Sequence, residues 1–188
     1  RSFAIEAQKK ENALIHCAQW ITSTAGSSPA SNPFSMLPEP LVFPVRLFTV
    51  TLIPAKTHPM PALDAVTDLI TEVFDEIGGK VFLHTHEDEI CGLISNESLV
   101  ASGRTLDKKL ARLQRQVTTY FLDAPVIIYH DKPISLAELR QDYQLCEDSK
   151  ALAFYVGRSA PIKATAHTVT AQPFHVSQAE LSKATAVA

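Results

Sequence analysis

The run Phe43-Pro-Val-Arg-Leu-Phe-Thr-Val-Thr-Leu-Ile53 is β-branched and aromatic with almost no polar alternation, which predicts a central strand covered on both faces. Pro54 ends it. Leu63, Val66, Ile70, Val73, Phe74 and Ile77 then recur at steps of three and four, predicting a core-facing helix that starts near Pro61 and stops at Gly78-Gly79. Residues 81–95 read as two short apolar strands joined by the acidic turn Thr85-His-Glu-Asp-Glu89. Leu106, Leu110, Leu113, Val117 and Tyr120 mark a second amphipathic helix over 99–121, and Val126-Ile-Ile-Tyr129 a fourth strand. Ser135-Leu-Ala-Glu138 fits a capping box, in which the Ser oxygen and the Glu carboxylate satisfy free backbone N–H groups, so a third helix should open there. Leu136, Leu139, Tyr143, Cys146 and Phe154 are expected on its buried side, with Gly157 as its cap.

The order βαββαβ plus a helix predicts an α+β fold on the split βαβ plan: a four-stranded, mainly antiparallel sheet with both crossover helices on one face. Residues 1–21 are expected to form a connector helix with Ile5, Leu14, Ala18 and Ile21 on one side. The proline- and serine-rich stretch 22–40 reads as a linker, 41–160 as the domain proper, and 161–188 as a C-terminal extension or linker with a short helix at 177–183.

Composition narrows the function classes. An apolar fraction of 46% over 188 residues supports a sizeable core, and a net charge of −3 provides no general attraction for nucleic acid. Cys17, Cys91 and Cys146 lack the paired spacing of a zinc site or a disulfide framework, which favours a reducing cytoplasm. No apolar run approaches the ~20 residues of a membrane helix, and no signal peptide is evident. Arg1 in place of a starting Met is read as the mark of an excised segment.

Two clusters carry candidate chemistry. His84 and His86, alternate residues of one strand, should share a face and are the metal candidates beside Glu87, Asp88 and Glu89; two histidines fall short of a fixed zinc site, and a solvated turn accounts for the acids. Arg104, Lys108, Arg112 and Arg115 recur opposite Leu106, Leu110 and Leu113, either as a solvated helix face or as a surface for phosphate or a partner. Ser27 and Ser28 have no nucleophile elbow around them, and no nucleophile–base pair stands out.

An acidic hairpin between the second and third strands of a βαββαβ core resembles the GGDEF domain, with His86-Glu-Asp-Glu-Ile90 standing where that family has Gly-Gly-Asp-Glu-Phe. Only Asp88 and Glu89 keep their identity. Lys132-Pro-Ile-Ser-Leu-Ala-Glu-Leu-Arg-Gln-Asp-Tyr143 and the segment 151–158, ending in Gly157-Arg158, are similar to degenerate GGDEF-like modules of AraC-type, YesN-like response regulators. The resemblance covers about residues 41–160. It implies a non-catalytic, cytoplasmic signal-transmitting module between a receiver domain and a helix-turn-helix domain of the same polypeptide. It also implies DNA contact only through the flanking domain, a homodimer as a further partner, and no cofactor. His86 and Glu87 replace both glycines of the phosphate-binding turn, and 50–54 contain no Asp where a metal-binding carboxylate would be sought, so cyclase activity is not expected. The alternative is a small-molecule or nucleotide sensor using a remnant cleft; an active nucleotide cyclase ranks last.

Overall fold

The computed structural model of this chain describes residues 2–23, 32–54 and 61–164. Strand β1 (Val45–Thr51) lies at the centre of the sheet because both of its faces are apolar. It pairs antiparallel with β3 (Glu89–Ser95) on one side and with β4 (Val126–Tyr129) on the other, and β2 (Lys80–His86) forms a hairpin with β3. The crossovers β1–α2–β2, through α2 (Leu63–Val73), and β3–β4, through α4 (Leu106–Phe121), each skip the strand between them. This is an α+β fold. The sheet differs from the expected four mainly antiparallel strands: β5 (Ile162–Lys163) adds a fifth, parallel to β4, giving a mixed sheet in the order β2-β3-β1-β4-β5. A two-residue strand is too short to leave a period-two signature in the sequence.

Alternation along the strands divides the core in two. Phe48, Val50, Ile90, Ile94 and Ile127 face α2 and α4, which contribute Val66, Ile70 and Val73, and Leu106, Leu110, Leu113 and Val117. Val45, Leu47, Leu83, Cys91, Leu93 and Ile128 face the other way, toward α1 (Ser2–Thr22) and α5 (Leu139–Ser149). The helix read as a connector therefore contributes Ala13, Cys17 and Ile21, one residue per turn, to the same core cluster as the sheet. Ile5, expected on that stripe, is exposed. Part of the stretch read as a linker is anchored as well: Asn32 caps a 3-10 turn at Pro33–Met36, and Phe34 is fully buried, edge-on to Trp20 and Phe43. A lone aromatic in a proline-rich segment has no periodicity to announce its burial. Ala164 is buried too, so packing continues past residue 160.

Two helices depart from the expected outline. The helix over 99–121 is interrupted: α3 (Asn96–Ser102) ends at Gly103, whose φ of 68° is a left-handed cap, and α4 starts afresh at Leu106. The capping box does not form. Ser135 and Glu138 join through backbone in a turn, and α5 begins one residue later with no side-chain cap. A 3-10 turn at Lys150–Leu152 then redirects the chain into α6 (Ala153–Val156), which leaves Phe154 91% exposed instead of on the buried side. Among the described residues no helix is long and apolar enough to cross a membrane. The helix expected at 177–183 and Ser27 and Ser28 lie outside the described residues.

Candidate functional site

The acidic hairpin turns over only two residues, Glu87 and Asp88, so Glu89 is already the first residue of β3. It stands across from Thr51 on β1 and His86 on β2, and it is 0% exposed. The solvated-turn expectation holds for Glu87, which is exposed, and fails for Glu89. Ile90, next in the segment, is buried on the opposite face against the α2–α4 core.

A register shift between His84 and His86 undoes the expected histidine pair. A bulge inserts one extra residue and breaks the alternation of faces. His84 Nε2 lies 3.0 Å from Thr67 Oγ1 on α2, whereas His86 Nε2 lies 3.3 Å from Tyr143 OH on α5, across the sheet. The bulge thus carries His86 to the α5 side, where Thr85 already lies by alternation with Val81 and Leu83 and donates its hydroxyl to Glu89 Oε1 at 2.5 Å.

Glu89 is saturated by internal partners. Tyr143 OH donates to Oε1 at 2.6 Å, Thr51 Oγ1 donates to Oε2 at 3.3 Å, and the Lys150 ammonium pairs with Oε2. Lys150 also donates to Glu147 Oε2 at 2.8 Å, and His86 Nε2 lies 3.8 Å from that same oxygen. Five elements of sequence thus meet on one carboxylate: the ends of β1, β2 and β3, helix α5, and the turn after it.

Burial alone would raise the Glu89 carboxyl, but hydrogen bonds from Glu147, Lys150, Thr85 and Tyr143 outweigh it and hold the group down to about 2. Glu147 moves the other way. Burial and its hydrogen bond to Glu89 push it up to about 7 against the opposing pull of Lys150. Its Oε1 is enclosed without a partner among the described residues, a position that favours the neutral carboxyl. Tyr143 is raised well above its ordinary range by burial and by the Glu89 charge, so it remains a neutral donor.

These opposed shifts predict a pH profile. The Glu89 contribution is present above the ordinary carboxylate value of 4.5 and is lost as pH falls toward about 2. Glu147 binds its proton more tightly folded than unfolded, so its contribution is full below 4.5 and is lost as pH rises through about 7. Stability should therefore fall between pH 5 and 7.5 by about 2 kcal/mol, after allowance for the partly solvated position of Glu147. Urea unfolding across that range measures it. Glu147→Gln, which mimics the neutral carboxyl, should flatten the slope, and a slope unchanged in that variant would refute the assignment.

His86, Glu89 and Glu147 place three potential ligand atoms within 4.8 Å of one another. Lys150 already sits on both carboxylates, so a divalent ion would have to displace an internal ammonium. The cluster is built around a resident cation, and its chemistry is the neutralisation of a buried carboxylate.

The basic stripe is less uniform than its spacing suggests. Arg104 pairs with Glu76 at 3.3 Å, and the same carboxylate receives Lys109, which also donates to the Val73 carbonyl at 2.9 Å from its buried position. The side chains of Lys108, Arg112 and Arg115 are exposed and form no hydrogen bond or ion pair among the described residues; with Arg104 and Lys109 they line a shallow groove of about 300 Å³. This groove is on α4, on the far face of the sheet from the Glu89 cluster.

Thr51, Thr85, Glu147 and Lys150 are absent from the candidates drawn from the sequence. One signal for two of them was there. Tyr143, Glu147 and Lys150 follow at steps of four and three, which puts two charged residues on the helix face assigned to the core. Charges on an apolar face point to a buried partner of opposite sign. In comparisons with known proteins, no family model matches the chain, and no curated protein matches it.

Proposed function

We propose that this chain is a non-catalytic regulatory module of a bacterial transcriptional response regulator, GGDEF-like in descent, acting in the cytoplasm between a receiver and a helix-turn-helix domain. The observation that carries this reading is the position of Glu89, the last acidic residue of the motif-like segment. Its carboxylate is enclosed and fully partnered within the chain, with no face open to a nucleotide or its metal. The same cluster includes Tyr143 and Glu147 of α5, and α5 shares its sheet face with α1. Arg140 of α5 stacks over the Trp20 ring of α1 at 4.6 Å. A displacement of α1 by a preceding domain would thus reach the hairpin through packed contacts, and a two-state arrangement of α1 would be the element that transmits signal. DNA contact would belong to the flanking domain, since this chain is net acidic.

A second reading, a small-molecule sensor, is favoured by one observation: a cavity of about 530 Å³ opens beside Lys150.

One paired experiment tests the proposal. With GTP and magnesium or manganese, the purified chain should form no cyclic dinucleotide above a no-protein control. In the intact protein, Ile21→Ala, which loosens α1 from the sheet, should change promoter output severalfold while the DNA-binding domain alone keeps its affinity. Product that disappears on Glu89→Gln, or promoter output indifferent to Ile21→Ala, would overturn the reading.

A further inference from the structure

The cavity beside Lys150 is lined by Thr51, Ile53, Val126, Lys150, Ala153 and Phe154, with Ala151 and Arg158 completing it. Its size is within the ~300–1,000 Å³ usual for small-molecule sites. Both charged residues on its wall are cations, and no carboxylate lines it. The two cations are not equivalent. Lys150 already faces Glu89 and Glu147, which offset its charge. Arg158 gives one N–H to the Ala124 carbonyl at 3.1 Å, and its carbonyl is held by Gln114, which also bonds Pro125. Arg158 thus borders both this cavity and the adjoining groove lined by Gln114 and Ala124, and its guanidinium keeps four N–H donors beyond the one given to Ala124. With Lys150 offset by its carboxylates, Arg158 is the one uncompensated charge on a wall that is apolar apart from Thr51 and these two cations.

Phe154 supplies the second argument. Its ring is 91% exposed, held out on the four-residue α6, and lines the cavity mouth. An aromatic side chain exposed at the rim of a cavity, with aliphatic residues behind it, fits an apolar ligand body better than water.

We propose that this cavity binds an organic monocarboxylate with an apolar body, its carboxylate on the Arg158 guanidinium and its hydrocarbon part between Phe154, Ile53 and Val126. The carboxylate matches the planar fork of arginine, and a single negative charge balances the single unoffset cation. Lys150 has one N–H left after its two carboxylate partners, and through it the ligand reaches the cluster around Glu89. This rests on the sensor reading for its biological consequence alone, because binding is measured on the isolated chain whatever the promoter experiment gives.

Isothermal titration of the 188-residue chain with 3-phenylpropionate, 4-methylpentanoate and octanoate, and with the amide of each, tests the inference. At least one acid should bind, and its amide should bind about tenfold more weakly or worse. Phe154→Ser, at an exposed position that the fold does not depend on, and Arg158→Gln, which keeps a donor for Ala124, should each weaken that acid by about tenfold. Equal affinity of acid and amide, affinity unmoved by either variant, or no binding of any acid at millimolar concentration would each overturn it.

Discussion

Lys150→Met should destabilise the chain by about 3–5 kcal/mol at pH 7, the cost of leaving a buried carboxylate without its counter-ion. Lys150 is the only cation in contact with Glu89 among the described residues, and Glu89 has no exposure through which water could take over. The hydroxyls of Thr51, Thr85 and Tyr143 remain, but neutral donors offset only part of a buried charge. The size of the loss should depend on pH in a way that identifies its cause. Without the ammonium, Glu89 can relieve its charge by taking a proton, so the difference between variant and parent should shrink as pH falls toward 5. Urea unfolding at several pH values measures this. A penalty that is the same at pH 5 and pH 7 would point to lost packing of the lysine stem and not to lost charge.

Gly92→Ala should cost about 3 kcal/mol, although alanine is ordinarily no worse than glycine in a strand. Gly92 lies directly between Phe48 and Phe82 in the sheet register, and a Cβ there would overlap the Phe48 ring. Phe48 cannot simply swing away. It stacks on Phe74 at 5.4 Å and meets Phe82 at 6.3 Å, with Phe74 and Phe82 6.1 Å apart, inside the α2–α4 core. The missing side chain at Gly92 is the space that this three-ring cluster occupies. Phe48→Leu should therefore partly rescue Gly92→Ala, so that the double variant loses less than the two single losses together. Strict additivity would refute the steric account.

How much could be read in advance follows from what each signal depends on. The faces of β1, α2 and α4 were legible because Val66, Ile70, Val73 and Leu106, Leu110, Leu113, Val117 carry the helical period outright. The split order of strands followed from the sequence of elements. Cys17 and Phe34 were not legible as core, since α1 buries one residue per turn and Phe34 stands alone among prolines. Gly103 divides a helix whose apolar pattern runs on regardless, and a pattern of side chains does not record a change of backbone hand. At the site, the segment 86–90 stood out by its charge, and the structure buries its Glu89 among hydrogen-bonding partners. Its partners were not, because Thr51, Tyr143 and Lys150 come from 38, 54 and 61 residues away, and no local rule pairs them. The bulge at Thr85 was the remaining blind spot: a single inserted residue sent His84 and His86 to opposite faces and removed the shared face that strict alternation gave them.

Glu89 serves as an internally neutralised structural clasp. Urea unfolding of the parent, Glu89→Gln, Lys150→Met and the double variant at pH 7 closes a thermodynamic cycle on that one pair. A coupling of about 2–3 kcal/mol is expected, with Glu89→Gln recovering much of what Lys150→Met loses, because the neutral amide needs no counter-ion. Losses that add to within about 0.5 kcal/mol would contradict it, and would mean that the Glu89 carboxylate is held for some purpose other than the clasp.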